Sequence, residues 1–139
     1  MSTYPKGPRE MAGGMMWFPR LTDKIRLCAR GELPEAYHAN LGERFDQRCA
    51  GFLRVEYPAL RARVLAGGTD EEILEWCYEN GRRLNELDLF IWNSFVSKFG
   101  WNDERTVRVN EMKTELGVVD RADLRTLADM LDFDEKRKT

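Results

Sequence analysis

Residues 85–99 read Asn-Glu-Leu-Asp-Leu-Phe-Ile-Trp-Asn-Ser-Phe-Val-Ser-Lys-Phe, and this stretch decides the fold. Asn85 and Asp88 carry the chemistry of a helix N-terminus. At 100° per residue the apolar side chains from Leu87 to Phe99 sweep roughly 260° of a helical surface. Only Glu86, Asn93 and Ser97 form a narrow polar strip. A helix that apolar must be surrounded, by the rest of its own chain or by a second molecule.

The same 3.6-residue spacing returns on both sides of this segment. Upstream, Pro19 suits a first helical position and Gly31 a left-handed stop, with Leu21, Ile25 and Cys28 as the inner stripe of a helix over 19–30. Asn40 and Glu43 predict the start of a second helix with Leu41, Phe45, Cys49, Phe52 and Leu53 inward. Pro58 marks a third, which Gly67-Gly68 ends. Thr69-Asp70-Glu71-Glu72 is a capping box before Ile73, Leu74, Trp76 and Cys77. Downstream, Gly100 is a stop, and Asn102 or Asp103 starts a helix with Val109, Met112 and Leu116 inward. Asp120 with Asp123 opens the last helix, on which Leu124, Leu127, Ala128 and Leu131 repeat. No stretch alternates with period two, and no repeat of 20 to 50 residues is present. The expectation is an all-α fold: a compact bundle of about six or seven short helices around a central apolar helix at 85–99. Residues 1–16, rich in Pro and Gly, read as a flexible N-terminal arm, 17–133 as a single helical domain, and 134–139 as a charged tail that frays.

The chain has 139 residues with 42% hydrophobic and 33% charged side chains, enough apolar material to offset chain entropy in one domain. A net charge of −2 argues against sequence-independent binding to nucleic acid or anionic lipid. Every apolar run is too short to cross a bilayer or act as a secretory signal, so a soluble, cytoplasmic protein is expected. Cys28, Cys49 and Cys77 contain no C-x-x-C pair and fall on apolar helical faces, where they read as small buried hydrophobes. Of the tryptophans, Trp76 and Trp92 sit at core spacing, leaving Trp17 and Trp101 as the more exposed pair.

Several strings occur together: Phe18-Pro19-Arg20-Leu21-Thr22-Asp23-Lys24-Ile25-Arg26, Gly31-Glu32-Leu33, Thr69 through Trp76, Leu124-Arg125-Thr126, and Asp132 to Glu135. The set resembles the bacterial domain-of-unknown-function 5069 family over residues 11–137. The resemblance implies a bacterial, cytoplasmic, single-domain protein and carries no activity with it. Pro34-Glu35-Ala36 before Tyr37, and a polar Thr22, depart from the family pattern.

Sixteen of the 22 bases are arginine, whose planar fork suits defined carboxylate or phosphate partners. The candidate ligand-binding residues are Arg20, Asp23, Lys24 and Arg26 on the first helix, with Tyr37 and His38 in the following loop. Arg20 and Lys24 near a helix start are placed to hold an anion. The competing reading is a salt-bridge network through Asp23. His38 is the single histidine, the residue type that titrates near neutrality. Glu35-x-x-His38 has the spacing of one carboxylate-bridged metal motif but occurs once, in a loop, so no metal and no cofactor are expected. The acidic strip Glu72, Glu75, Glu79 is opposite in sign to Arg44, Arg48, Arg61 and Arg63. Two functions follow: a non-enzymatic interaction module, as a homodimer or with a protein partner, or a protein or enzyme that binds a small anionic ligand.

Overall fold

The computed structural model describes residues 3–139; residues 1 and 2 of the expected arm lie outside the described residues. A two-stranded antiparallel hairpin, β1 (Met11–Ala12) and β2 (Met15–Met16), precedes seven α-helices: α1 Phe18–Ala29, α2 Phe45–Leu53, α3 Tyr57–Leu65, α4 Asp70–Asn80, α5 Glu86–Lys98, α6 Thr106–Glu115 and α7 Leu127–Asp134. A 3-10 helix covers Glu35–Asn40 between α1 and α2. The protein is an all-α bundle of short helices, and no described helix is long and apolar enough to cross a membrane.

The helix at the centre is α1 rather than α5. It buries Leu21 and Ile25 as expected, and also Phe18, with Arg20, Thr22 and Lys24 on its other sides. Around it pack Phe45, Cys49 and Leu53 of α2, Leu60 and Val64 of α3, Ile73 and Cys77 of α4, and Trp92 and Val96 of α5. A smaller cluster joins Val109 of α6, Leu124 and Met130 of α7.

The expectation that the rest of its own chain surrounds α5 is corrected, and the reason is local. Two residues of its polar strip, Asn93 and Ser97, turn inward onto the hairpin. Asn93 accepts the Met16 N–H at 2.9 Å and donates to the Gly14 carbonyl at 2.8 Å, while Trp92 Nε1 donates to the Met16 carbonyl at 2.8 Å. A side-chain amide satisfies two backbone groups of a hairpin too short to satisfy them itself. With Trp92, Asn93 and Val96 inward, Leu87, Phe90 and Ile91 are left 63%, 70% and 52% exposed.

Described residues near both ends of the chain have partners in the fold. Pro5, Gly7 and Pro8 are buried, and Met15 is fully enclosed. In the tail, Glu135 is buried and Arg137 donates to the Pro5 carbonyl. The proline- and glycine-rich segment is irregular before the hairpin, and its backbone has partners.

Three helix starts move from their expected positions. Helix α2 begins at Phe45 because Gly42 turns the chain at φ +73° and Arg44 sits at φ +53°. Helix α6 begins at Thr106 after Asn102 at φ +53°. Helix α7 begins at Leu127, with Thr126 and Asp129 as a full capping box. The boxes Thr69/Glu72 and Asn85/Asp88 form as read. Cys49 and Cys77 are buried, whereas Cys28 is half-buried. Trp101 is exposed, but Trp17 is 4% exposed and belongs to the core.

Candidate functional site

A cleft of about 480 Å³ opens where α1, α2, α6 and α7 meet. Its deep wall is built from α1. Arg20 is enclosed and forms a bidentate pair with Glu135, Nη1 to Oε1 at 2.8 Å and Nη2 to Oε2 at 2.7 Å, and it also donates to the Lys6 carbonyl at 3.0 Å. The Tyr37 hydroxyl donates to Glu135 Oε2 at 2.7 Å. Arg20 Nε remains without a partner among the described residues. Burial alone would raise the Glu135 carboxyl, but the hydrogen bonds and charge of Arg20, with Tyr37 and Arg137, outweigh it and hold the group below its usual range.

One turn along α1, Lys24 Nζ lies 2.8 Å from Asp46 Oδ2. Asp46 also accepts from Trp17 Nε1 at 2.9 Å and from the Gly42 N–H at 3.2 Å. Burial pulls the Lys24 ammonium below its usual range, with Asp46 opposing. The two deep cations are therefore matched by two deep carboxylates, so the floor of the cleft is polar but close to neutral.

The mouth differs. Arg44 before α2, Arg48 of α2 and Arg105 before α6 all line it, and among the described residues none of the three has an ion-pair partner. Partial burial lowers the Arg48 guanidinium from its ordinary value, and the positive charges of Arg105 and Arg44 lower it further. Arg48 rests on aromatic rings, 5.1 Å from the Phe99 centroid and 5.9 Å from that of Phe45. Of the lining carboxylates, Asp46 is engaged by Lys24 and Glu111 by Arg108 at 3.3 Å, while the exposed Glu43 has no ion-pair partner among the described residues. Trp17, Arg44 and Arg105 are the residues that open α1, α2 and α6, none of which has a side-chain cap. Three positive helix ends thus border the same space. Trp17 at φ +74° and Arg44 at φ +53° hold backbone conformations unusual for non-glycine residues, a strain that clusters at functional sites. Between mouth and floor, Phe45 and Phe99 face Val109, Met112, Leu127 and Leu131.

Of the residues singled out from sequence, Arg20, Lys24 and Tyr37 come together in this wall. Asp23, Arg26 and His38 do not. Asp23 accepts the Lys6 N–H at 2.9 Å, and Arg26 pairs with Asp70 at 2.9 Å, where Thr22 also donates at 2.8 Å. His38 Nε2 is 3.0 Å from the Leu33 carbonyl. In place of a salt-bridge network through Asp23 stand these longer-range bonds. Asp46, Glu135 and Arg105 were missed: two carboxylates deep in the fold and an arginine from a turn. Arg44 and Arg48 were visible as an i, i+4 basic pair, but nothing local set them apart from a solvated strip. Of the strip Glu72, Glu75 and Glu79, Glu72 caps its own helix and Glu75 pairs with Arg83.

Comparison with curated proteins gives no match. The model of one family, a domain of unknown function numbered 5069, matches residues 2–137, nearly the whole chain. The chain belongs to the DUF5069 family.

Proposed function

We propose that the protein binds a small anionic molecule with an apolar body in the cleft between α1, α2, α6 and α7. The observation that carries this reading is the group Arg44, Arg48 and Arg105, gathered at one mouth with no carboxylate paired to any of them. Like charges brought together cost free energy, and a phosphate or carboxylate held among them relieves that cost. Arg44, Arg48 and Arg105 take the anion, the walls of Phe45, Phe99, Met112 and Leu131 take the body, and for a neutral polar end Lys24 is a hydrogen-bond donor and the Tyr37 hydroxyl oxygen an acceptor. This relocates the anion from Arg20, which Glu135 already neutralises.

The test is a thermal-shift and calorimetric screen with pyrophosphate, phosphorylated metabolites and apolar carboxylates. At least one is expected to stabilise the wild type, with binding that weakens as salt rises. Arg48→Ala and Arg105→Ala should keep or slightly raise the melting temperature of the free protein while losing ligand stabilisation. No stabilisation across the panel, or stabilisation that survives loss of all three arginines, overturns the reading.

A second reading, work by protein contact without catalysis, is favoured by a different observation: the exposed apolar stripe of α5, Leu87, Phe90 and Ile91. Scattered exposed apolar residues are ordinary on protein surfaces, whereas three on one helical face mark an interaction surface.

A further inference from the structure

We propose that the partner of the α5 stripe is a second copy of this chain, its α5 lying antiparallel to the first across a two-fold axis; this rests on the contact reading of α5. At 100° per residue, Leu87, Phe90, Ile91, Ser94 and Lys98 share one arc of about 100°, centred opposite the buried Trp92 and Val96. The stripe runs from the first turn of α5 to the last. Ser94, half-buried and small, leaves a notch midway along it between the bulkier Phe90, Ile91 and Phe95.

The charges at the two ends of the helix, Lys98 on the stripe and Glu86 at its flank, fix the orientation. Glu86 opens α5 and Lys98 closes it; both are exposed, and neither has an ion-pair partner among the described residues. Laid antiparallel on its own copy, α5 sets each Lys98 beside the other's Glu86, and opposes the two helix dipoles. Laid parallel, it sets Lys98 against Lys98. A uniformly acidic or basic partner satisfies one end only, whereas the same helix reversed satisfies both. Such a surface is self-complementary, which is what a two-fold contact requires. Two faces of this kind, with their polar rims, bury on the order of 1,000 Å², the lower range of a specific interface.

The experiment is sedimentation velocity of the full chain from low to high micromolar concentration, with melting curves recorded alongside. The wild type is expected to show a concentration-dependent dimer. Phe90→Glu, at a 70% exposed position, should keep its melt at low concentration and weaken the dimer on the order of thirtyfold or more. Glu86→Lys and Lys98→Glu should each weaken it, and the double reversal should restore it. A wild type that stays monomeric, a dimer indifferent to Phe90→Glu, or a double reversal that fails to restore overturns the antiparallel pairing. To separate this from the contact reading, Phe90→p-benzoylphenylalanine is photo-cross-linked in cells. A cross-link to the same chain supports the pairing. A cross-link to another polypeptide overturns it but leaves the contact reading standing, and no cross-link overturns both.

Discussion

Glu135 shows how much one buried carboxylate can hold. It accepts from both Arg20 amino groups and from Tyr37, and pairs with Arg137 at 2.7 Å. Removing it leaves Arg20 buried and uncompensated, so Glu135→Ala should lower stability by about 3–5 kcal/mol in denaturant unfolding. The double variant Arg20→Met with Glu135→Leu should recover most of that loss, because the cost lies chiefly in the orphaned charge. The same group sets an acid limit. Its folded value lies below the ordinary 4.5, so its contribution is complete above that pH and is lost as pH falls through the folded value. The melting temperature should therefore drop on acidification below about 4.5, less steeply in Glu135→Gln. Asp129, which accepts Arg9 and the N–H groups of Arg125 and Thr126, is also held low and adds to the same acid slope. None of this was legible from position 135, which reads locally as part of a charged tail. The partner that buries it stands 115 residues away.

At the scale of elements, joints matter more than helix interiors. Gly81 closes α4 with its N–H on the Cys77 carbonyl at 2.7 Å, and the next residue, Arg82, donates its N–H to the Leu53 carbonyl at 3.0 Å and its Nε to that of Phe52 at 2.7 Å. Arg82 thereby serves the carbonyls that end α2. A β-carbon on Gly81 would collide with the Leu53 backbone oxygen. Gly81→Ala should accordingly destabilise far more than Gly31→Ala or Gly117→Ala, which meet no neighbouring atom and cost only their left-handed backbone. Chemical melts of the three variants test the order. Helices α1, α3, α4 and α5 were readable because their signals are local: proline at a first turn, a capping box, a glycine stop. The starts of α2, α6 and α7 were not. Asn40, Asp103 and Asp123 have cap chemistry, but Asp103 instead serves the turn before α6, accepting the Gly100 and Arg105 N–H groups. Asp123 pairs with Arg121, and Asn40 ends the 3-10 helix. A capping residue marks a turn; which turn becomes a helix is decided by what packs on it.

Across the whole molecule, the helical class was legible because period is a property of sequence, while orientation was not. The arc from Leu87 to Phe99 counts as apolar whichever way it faces, and the hairpin that claims Asn93 and Trp92 lies in a segment whose composition suggested no structure. The cleft escaped for a related reason, since Arg44 and Arg105 are 61 positions apart in the chain. Arg9 reaches Asp129 and Asp132, each at 2.8 Å, and Arg137 reaches the Pro5 carbonyl. The segments around residues 5–9 and 129–137 are thus clasped together. A circularly permuted gene, with a short linker across the clasp and new ends cut at the exposed Gly67-Gly68 turn, should yield a chain with the same helical circular dichroism and a cooperative melt. Cutting instead within α1 should not. If so, the order in which this fold is threaded is incidental to it, and the clasp does the work that continuity of the chain does elsewhere.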